Sequence, residues 1–145
     1  VDSSKKAMDM VDRNVEINFG TNHNHTSYAE DAFEHLRTID GKYDLIILDP
    51  PAFAKHNKVL NKALLGYRRL NALAFHKMKP GGILFTFSCS QVVTKEHFRN
   101  SVFTAAAISG RNVRILHQLT QPADHPINIY HPEGEYLKGL VLYVE

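Results

Sequence analysis

The stretch YDLIILDPPAF, from Tyr43 to Phe53, decides the fold of this 145-residue chain. Its first part, Tyr43 to Leu48, is a nearly continuous apolar run, which is the pattern of a strand covered on both faces by helices. The strand should stop at Asp49, because the two prolines that follow restrict the backbone and cannot continue a sheet. We therefore expect a buried strand that ends in a rigid polar turn.

Helical and extended patterns alternate on both sides of this stretch. Apolar residues recur at helical spacing in four segments. The predicted helices run from a cap at Ser3 or Ser4 to Gly20, from Ala32 to about Gly41, from Asn57 to Met78, and from about Phe98 to Gly110. Further extended segments are predicted at Thr26 to Ala29, Ile83 to Phe87, Val113 to Leu119 and Leu137 to Val144. This alternation implies a single α/β unit with a mostly parallel sheet.

The composition bounds the class of protein. A chain that is 43% hydrophobic can bury one core, and it has no apolar run of about 18 residues that would predict a membrane span. The formal charge of +2 gives no bulk electrostatic argument for a polyanionic partner. Cys89 is the single cysteine, which excludes an internal disulfide and fits the reducing cytoplasm. The nine histidines are scattered, so we expect no metal site.

Polar residues follow the predicted strands, and ligands of such folds bind at the carboxyl ends of strands. Asp2 could accept hydrogen bonds from the ribose hydroxyls of an adenosine-containing cofactor, or it could simply favour the dipole of the helix that follows. Asp31 could receive the adenine amino group or cap a short helix, and the residues alone leave both readings open.

Asp49, Pro50, Pro51 and Phe53 form the sharpest candidate site. Consecutive prolines at the end of a buried strand fix the direction of the aspartate and of the neighbouring carbonyls, and rigid placement is what a site that holds a base requires. The alternative is an ordinary proline turn in which Asp49 bonds to its own backbone.

Cys89 should lie beside this turn, just past the strand that ends near Phe87. A thiolate there could attack carbon 6 of a pyrimidine and make carbon 5 nucleophilic enough to take a methyl group from a sulfonium. The alternative is a small buried apolar side chain. Phe53 and Tyr67 could stack on a splayed-out base, although the position of Tyr67 on the apolar face of its helix favours the core.

Together these residues resemble the class I S-adenosylmethionine-dependent methyltransferases, and more closely the large-subunit ribosomal RNA cytosine-5 methyltransferase I family. The resembling segments are VDSSKKAMDMVDRN, YDLIILDPPAF, GYRRLNALAF, KPGGILFTFSCS, ADHPI and PEGEYLKG. The resemblance implies a Rossmann-like sheet, mostly parallel with an antiparallel closing strand. It also implies S-adenosylmethionine as cofactor, large-subunit ribosomal RNA as partner, and a cytoplasmic protein.

The same resemblance assigns roles to individual residues. Asp2 would bind the ribose and Asp31 the adenine side of the cofactor. Asp49 would lie beside the methyl-transfer centre, in contact with cofactor and base, and Cys89 would be the nucleophile. Pro50, Pro51 and Phe53 would hold the target base.

Three departures from the family pattern shape these expectations. The glycine-rich loop and first strand that should hold the methionine end of the cofactor are absent, so residues 1–145 are expected to be a partial catalytic domain that binds cofactor weakly. The family's N-terminal RNA-binding module is absent as well. Many RNA cytosine-5 methyltransferases carry two cysteines, whereas this chain has one. With one cysteine, Asp49 or water would have to act as the base that releases the product.

Two other functions remain open at this point. The DPP motif with a following aromatic residue also suits methylation of a ring nitrogen or an exocyclic amine, which needs no nucleophile. A non-catalytic RNA-docking or dimerising module is the other reading, because a sheet that lacks its first strand would expose an edge and favour a homodimer. A dehydrogenase would also place an acid on ribose, but it gives DPPAF and TFSCS no role.

Overall fold

The computed structural model describes residues 1–21 and 23–145. It contains two compact units, Val1–Ile39 and Asp40–Glu145.

The first unit contains two helices, α1 (Lys5–Phe19) and α2 (Ala32–Thr38). The side chain of Ser4 caps α1 by accepting a hydrogen bond from the Ala7 N–H at 3.3 Å. Gly20 ends α1 with a φ of 69°, a conformation that residues with a Cβ rarely adopt. The predicted cap and end of this helix are therefore confirmed.

The extended segment expected near Thr26 to Ala29 makes a single parallel bridge, between Ala29 and Asp2. The Asp2 N–H donates to the Tyr28 carbonyl at 3.1 Å. Among the described residues, this bridge is the only strand-like pairing of the segment.

The second unit, all of whose residues are described, forms a sheet of four strands and two long helices. In chain order these are β1 (Leu45–Leu48), α3 (Leu60–Lys77), β2 (Gly82–Ser88), α4 (Lys95–Ser109), β3 (Val113–Leu119) and β4 (Lys138–Val144). A 3₁₀ turn, Asn57–Val59, leads into α3, and another, Pro132–Gly134, precedes β4. These bounds agree with the sequence pattern to within a few residues.

The strand order is β1-β2-β4-β3. β1 and β2 are parallel, and β4 is antiparallel to both of its neighbours. Three strands therefore run in one direction and only β4 runs against them. Because β4 pairs with two of the other strands, one of the three pairings is parallel and two are antiparallel, so the sheet is mixed and the antiparallel closing strand is confirmed. The closing strand lies inside the sheet, between β2 and β3.

One face of this sheet carries the core of the unit. The buried residues of β2 alternate along the strand as Gly82, Leu84, Thr86 and Ser88, and Ile46 and Leu48 of β1 are in register with this face. Tyr67 of α3 contacts both Ser88 and the ring of Phe98 from α4. Both long helices therefore pack on this face.

Within the second unit, helices cover only one face of β1. Leu45 and Ile47 are 50% and 61% exposed, while Ile46 and Leu48 between them are buried. The reason is that α3 and α4 both lie on the Ile46 and Leu48 face. A continuous apolar run does not reveal how many of its faces are covered.

None of the described helices combines the length and the apolar character that crossing a lipid bilayer would require.

Candidate functional site

The carboxyl ends of β1 and β2 lie side by side and carry the residues of the candidate site. Leu48 is in register with Thr86 in the parallel ladder, so the chain that leaves β1 at Asp49 runs beside the end of β2. Parallel pairing brings both strand ends to the same edge, where open α/β sheets bind their ligands. The structure thereby brings Asp49, Pro50 and Cys89 together.

Cys89 lies at this edge, directly after the end of β2. Its thiol is free and half-buried, and Sγ lies 3.9 Å from the carbonyl oxygen of Pro50, close enough for a weak hydrogen bond. The only thiol of the chain is therefore in contact with the DPP turn while still partly open to solvent. It is not sealed in the core as a purely structural cysteine would be.

Tyr67 lies fully buried directly behind this edge. Its phenol oxygen accepts a hydrogen bond from the Ser88 hydroxyl at 2.9 Å. Burial raises the pKa of Tyr67; the hydrogen bonds from Ser88 and from the backbone of Phe53 act in the opposite direction, and the nearby Cys89 and Asp49 raise it further. Tyr67 is therefore a core residue, as its helical position indicated, and it supports the site from beneath.

Phe53 lies on top of Tyr67, with ring centroids 4.7 Å apart and planes tilted by 42°. Gly66 leaves the space for this ring, because a Cβ at that position would lie 3.0 Å from Cδ2 of Phe53. Phe53 is only half-buried, so part of the ring faces solvent. Pro50 is also half-buried and Pro51 is exposed, which leaves the outer side of the turn accessible.

Asp49 is exposed, and its side chain takes part in none of the hydrogen bonds found among the described residues. The plain proline turn in which Asp49 bonds to its own backbone is therefore not what forms. The carboxylate is available to a ligand, in a position fixed by the two prolines.

Ser90 and Lys138 complete the site, and the sequence analysis did not single them out. The Ser90 hydroxyl donates to the Ala54 carbonyl at 2.5 Å, which ties the residue after Cys89 to the end of the DPPAFA turn. Lys138, the first residue of β4, is buried and donates from Nζ to the carbonyls of Ser90 at 2.5 Å and Tyr136 at 2.7 Å. Burial lowers the pKa of Lys138, and the neighbouring Cys89 acts in the opposite direction. The available signal was a single lysine in an otherwise apolar strand.

The segment before β4 contacts the residues that follow β2 through two polar pairs. Gln91 donates to the Glu133 carbonyl at 2.7 Å, and Lys95 forms an ion pair with Glu135. The hydrogen bond and charge of Lys95 lower the pKa of Glu135. The motifs TFSCS and PEGEYLKG, far apart in sequence, therefore form one contact region.

The two remaining candidates, Asp2 and Asp31, lie in the first unit. Asp2 accepts the Ser4 N–H at 2.7 Å, and Asp31 caps α2 by accepting from Phe33 at 2.8 Å and Glu34 at 3.2 Å. All three bonds use Oδ1, which leaves Oδ2 of each exposed carboxylate open to a donor. The bridge to Ala29 holds Asp2 beside the chain two residues before Asp31.

In the part of the chain that the structure describes, no three His, Cys, Asp or Glu side chains are grouped to hold a metal ion.

Comparison with known proteins identifies the family. No protein-family profile matches the chain. Ribosomal RNA large subunit methyltransferase I of Shewanella amazonensis is 45% identical over 148 residues that cover 99% of the chain, and that of Aeromonas salmonicida is 43% identical over 98% of it. The chain belongs to the ribosomal RNA large subunit methyltransferase I family. It spans 37% of the length of these two methyltransferase I relatives.

Solved structures agree on the fold of this methyltransferase I chain. A methyltransferase complexed with SAH superposes with a TM-score of 0.79 at 21% identity, covering 97% of the chain and 37% of that protein. A SAM-dependent methyltransferase from Streptococcus mutans gives 0.78 at 19% identity over 97% of the chain and 36% of that protein. The predicted Rossmann-like α/β class is thereby confirmed.

Proposed function

We propose that the protein is an S-adenosylmethionine-dependent methyltransferase that adds a methyl group to carbon 5 of a cytosine in large-subunit ribosomal RNA. The observation that carries the proposal is the position of Cys89, a partly exposed thiol in contact with the rigid turn that presents Asp49. Membership of the methyltransferase I family supports the RNA substrate.

Two acidic residues of the first unit would contact the cofactor. Oδ2 of Asp2 would accept from the ribose hydroxyls and Oδ2 of Asp31 from the adenine amino group, because Oδ1 of each is already engaged by backbone N–H groups. These acids fit adenosine because they are exposed, are held in place by the backbone, and each keep one free oxygen. S-adenosylmethionine, when bound, supplies the electrophilic methyl group.

The base would be held by the DPPAF turn. The prolines Pro50 and Pro51 fix the backbone, and the open side of the Phe53 ring offers an aromatic surface for a base that has left its stack. Tyr67 fills the space beneath the Phe53 ring, so the ring stays near the surface.

Cys89 would begin the reaction by attack on carbon 6. A carbon–sulfur bond forms there, the electron pair of the 5,6 double bond moves toward carbon 5, and Asp49 orients or protonates the ring. Carbon 5 would then form a bond to the methyl group as the bond from that methyl group to the sulfonium sulfur breaks, which leaves a neutral thioether as the spent cofactor. Removal of the carbon 5 proton by Asp49 or water restores the double bond and expels the Cys89 thiolate.

Methylation of a ring nitrogen or an exocyclic amine is the second candidate. The hydrogen-bond-free carboxylate of Asp49 favours it, because such a group can polarise an amine without any nucleophile. In that case Cys89 would have only a packing role, and Cys89→Ser would change the rate by less than about threefold.

Nucleoside mass spectrometry on unmodified large-subunit ribosomal RNA, incubated with the full-length protein and labelled S-adenosylmethionine, tests both candidates. We expect labelled 5-methylcytosine with the wild type, none with Cys89→Ala, and a covalent adduct between wild type and RNA that contains 5-fluorocytosine. A Cys89→Ala variant as active as wild type, or label in a purine, would overturn the proposed chemistry.

A further inference from the structure

The charges of this chain are distributed very unevenly along its length. The formal net charge is only +2, yet residues 50–95 contain eight lysine and arginine residues and no aspartate or glutamate. The acidic residues are therefore confined to the two flanking parts. A near-neutral total conceals a strongly basic segment, and this segment begins at the candidate site.

Only part of this basic segment is neutralised by partners. Lys77 and Lys79 form ion pairs with Asp40 and Asp44, and Lys95 pairs with Glu135. By contrast, an exposed set of four cations takes part in none of the ion pairs among the described residues. This set, the basic row, consists of Lys55, Lys58, Lys62 and Arg69.

The basic row starts one residue after the contact between Ala54 and Ser90 and continues onto α3. Lys55 follows Ala54, whose carbonyl is tied to Ser90, and Lys58 lies in the 3₁₀ turn that leads into α3. Lys62 and Arg69 are seven residues apart, so they share one face of α3 at about 10.5 Å along its axis. Tyr67 lies on the buried side of the same helix, which directs the row outward.

We propose that the basic row binds the phosphate backbone of the single-stranded RNA segment that carries the target base. Lysine and arginine side chains without acidic partners are the groups that position RNA phosphates, and such contacts do not depend on sequence. The half-exposed ring of Phe53 at the start of the row adds a stacking surface, and aromatic surfaces next to a basic track are typical of single-strand binding. This inference rests on the proposed function for its substrate.

A triple substitution, Lys58→Gln, Lys62→Gln and Arg69→Gln in the full-length protein, tests the row. Its matched control removes three exposed cations elsewhere, with Lys5→Gln, Lys6→Gln and Arg99→Gln. Affinity for a single-stranded RNA oligonucleotide is measured by fluorescence anisotropy over a series of salt concentrations. Thermal unfolding of both variants confirms that they fold, since all six positions are exposed.

We expect the row variant to lose about tenfold or more in affinity at low salt. The slope of log K against log salt should become shallower by about 2, because each single-strand phosphate contact contributes about 0.7. In methyl transfer, KM for RNA should rise while kcat is retained. The control variant should change affinity by less than about threefold.

Two results would overturn the inference. One is an unchanged affinity and salt slope in the row variant, which would make the row an ordinary solvated helix face. The other is retained RNA affinity with lost affinity for poly-glutamate, which would assign the row to an acidic protein partner. RNA affinity is measured without cofactor, so the outcome of this test does not depend on whether 5-methylcytosine forms, and its failure can be told apart from failure of the proposed chemistry.

Discussion

The candidate residues of the two units are held in place in different ways. In the first unit, Asp2 and Asp31 bond to backbone groups two or three residues away. In the second unit, Cys89 reaches Pro50 across 39 residues, and Lys138 reaches Ser90 across 48. The first arrangement depends on local chain geometry and the second on strand pairing. One change in the second unit should therefore disturb several candidate residues, whereas one change in the first should affect a single helix end.

The largest loss of stability is expected on substitution of Tyr67, which lies beneath the ends of β1 and β2. Tyr67→Ala should lower the free energy of unfolding by about 3–5 kcal/mol, as other buried aromatic truncations do, because it leaves a cavity beneath Phe53. It should also abolish the covalent adduct with RNA that the proposed function predicts for Cys89. Tyr67→Phe is the matched control, since it keeps the ring and should cost only about 1–3 kcal/mol from the unpaired Ser88 hydroxyl. Urea unfolding measures both, and equal losses would contradict the supporting role of the ring.

A smaller effect with a distinct pH signature is expected at Lys138. Lys138→Met should cost about 1–3 kcal/mol, because the buried carbonyls of Ser90 and Tyr136 lose their donor. Burial holds the pKa of Lys138 below its usual value of 10.5. Between the folded and the unfolded pKa the unfolded chain binds more protons, so the stability of the wild type should rise with pH through this window.

Lys138→Met should lack that rise. Denaturation of wild type and variant at several pH values up to 10.5 measures the difference. If the stability of wild type and variant changed with pH in the same way, the pKa of Lys138 would not be lowered by burial. That result would contradict the prediction.

The smallest loss of stability is expected at Asp31, because this side chain holds only one helix end. Asp31→Ala should cost about 0.5–2 kcal/mol through loss of the α2 cap, while Asp31→Ser should preserve most of it. If Asp31 also contacts adenine, both variants of the full-length protein should bind S-adenosylmethionine more weakly in calorimetric titration. Wild-type affinity in Asp31→Ser would make Asp31 a cap alone.

Local features of both units could be predicted from the sequence. The Ser4 cap, the Gly20 terminus and the bounds of α3 follow from short-range preferences. The proximity of Cys89 to the DPP turn could also be predicted, because parallel strands of one sheet end at the same edge. The antiparallel direction of β4 came from the family resemblance.

The remaining features depend on packing that a single sequence does not encode locally. The exposure of Leu45 and Ile47 depends on which face of the sheet α3 and α4 pack against. The position of β4 between β2 and β3, and hence the contact of Lys138 with Ser90, depends on the order of strands in space. The net charge of +2 averages the basic segment of residues 50–95 with the two flanking parts, which hold all of the acidic residues.

The antiparallel insertion of β4 also has a consequence for synthesis. Because β4 runs against β2, its first residue meets the end of β2, and Lys138 becomes available only 48 residues after Ser90 has been made. At about 5–20 residues per second, a ribosome takes roughly 2–10 s to produce that interval. During this time the emerging chain has its thiol without the strand that holds the loop beside it. The loop that carries Cys89 is therefore among the last parts of the second unit to be held in its final position.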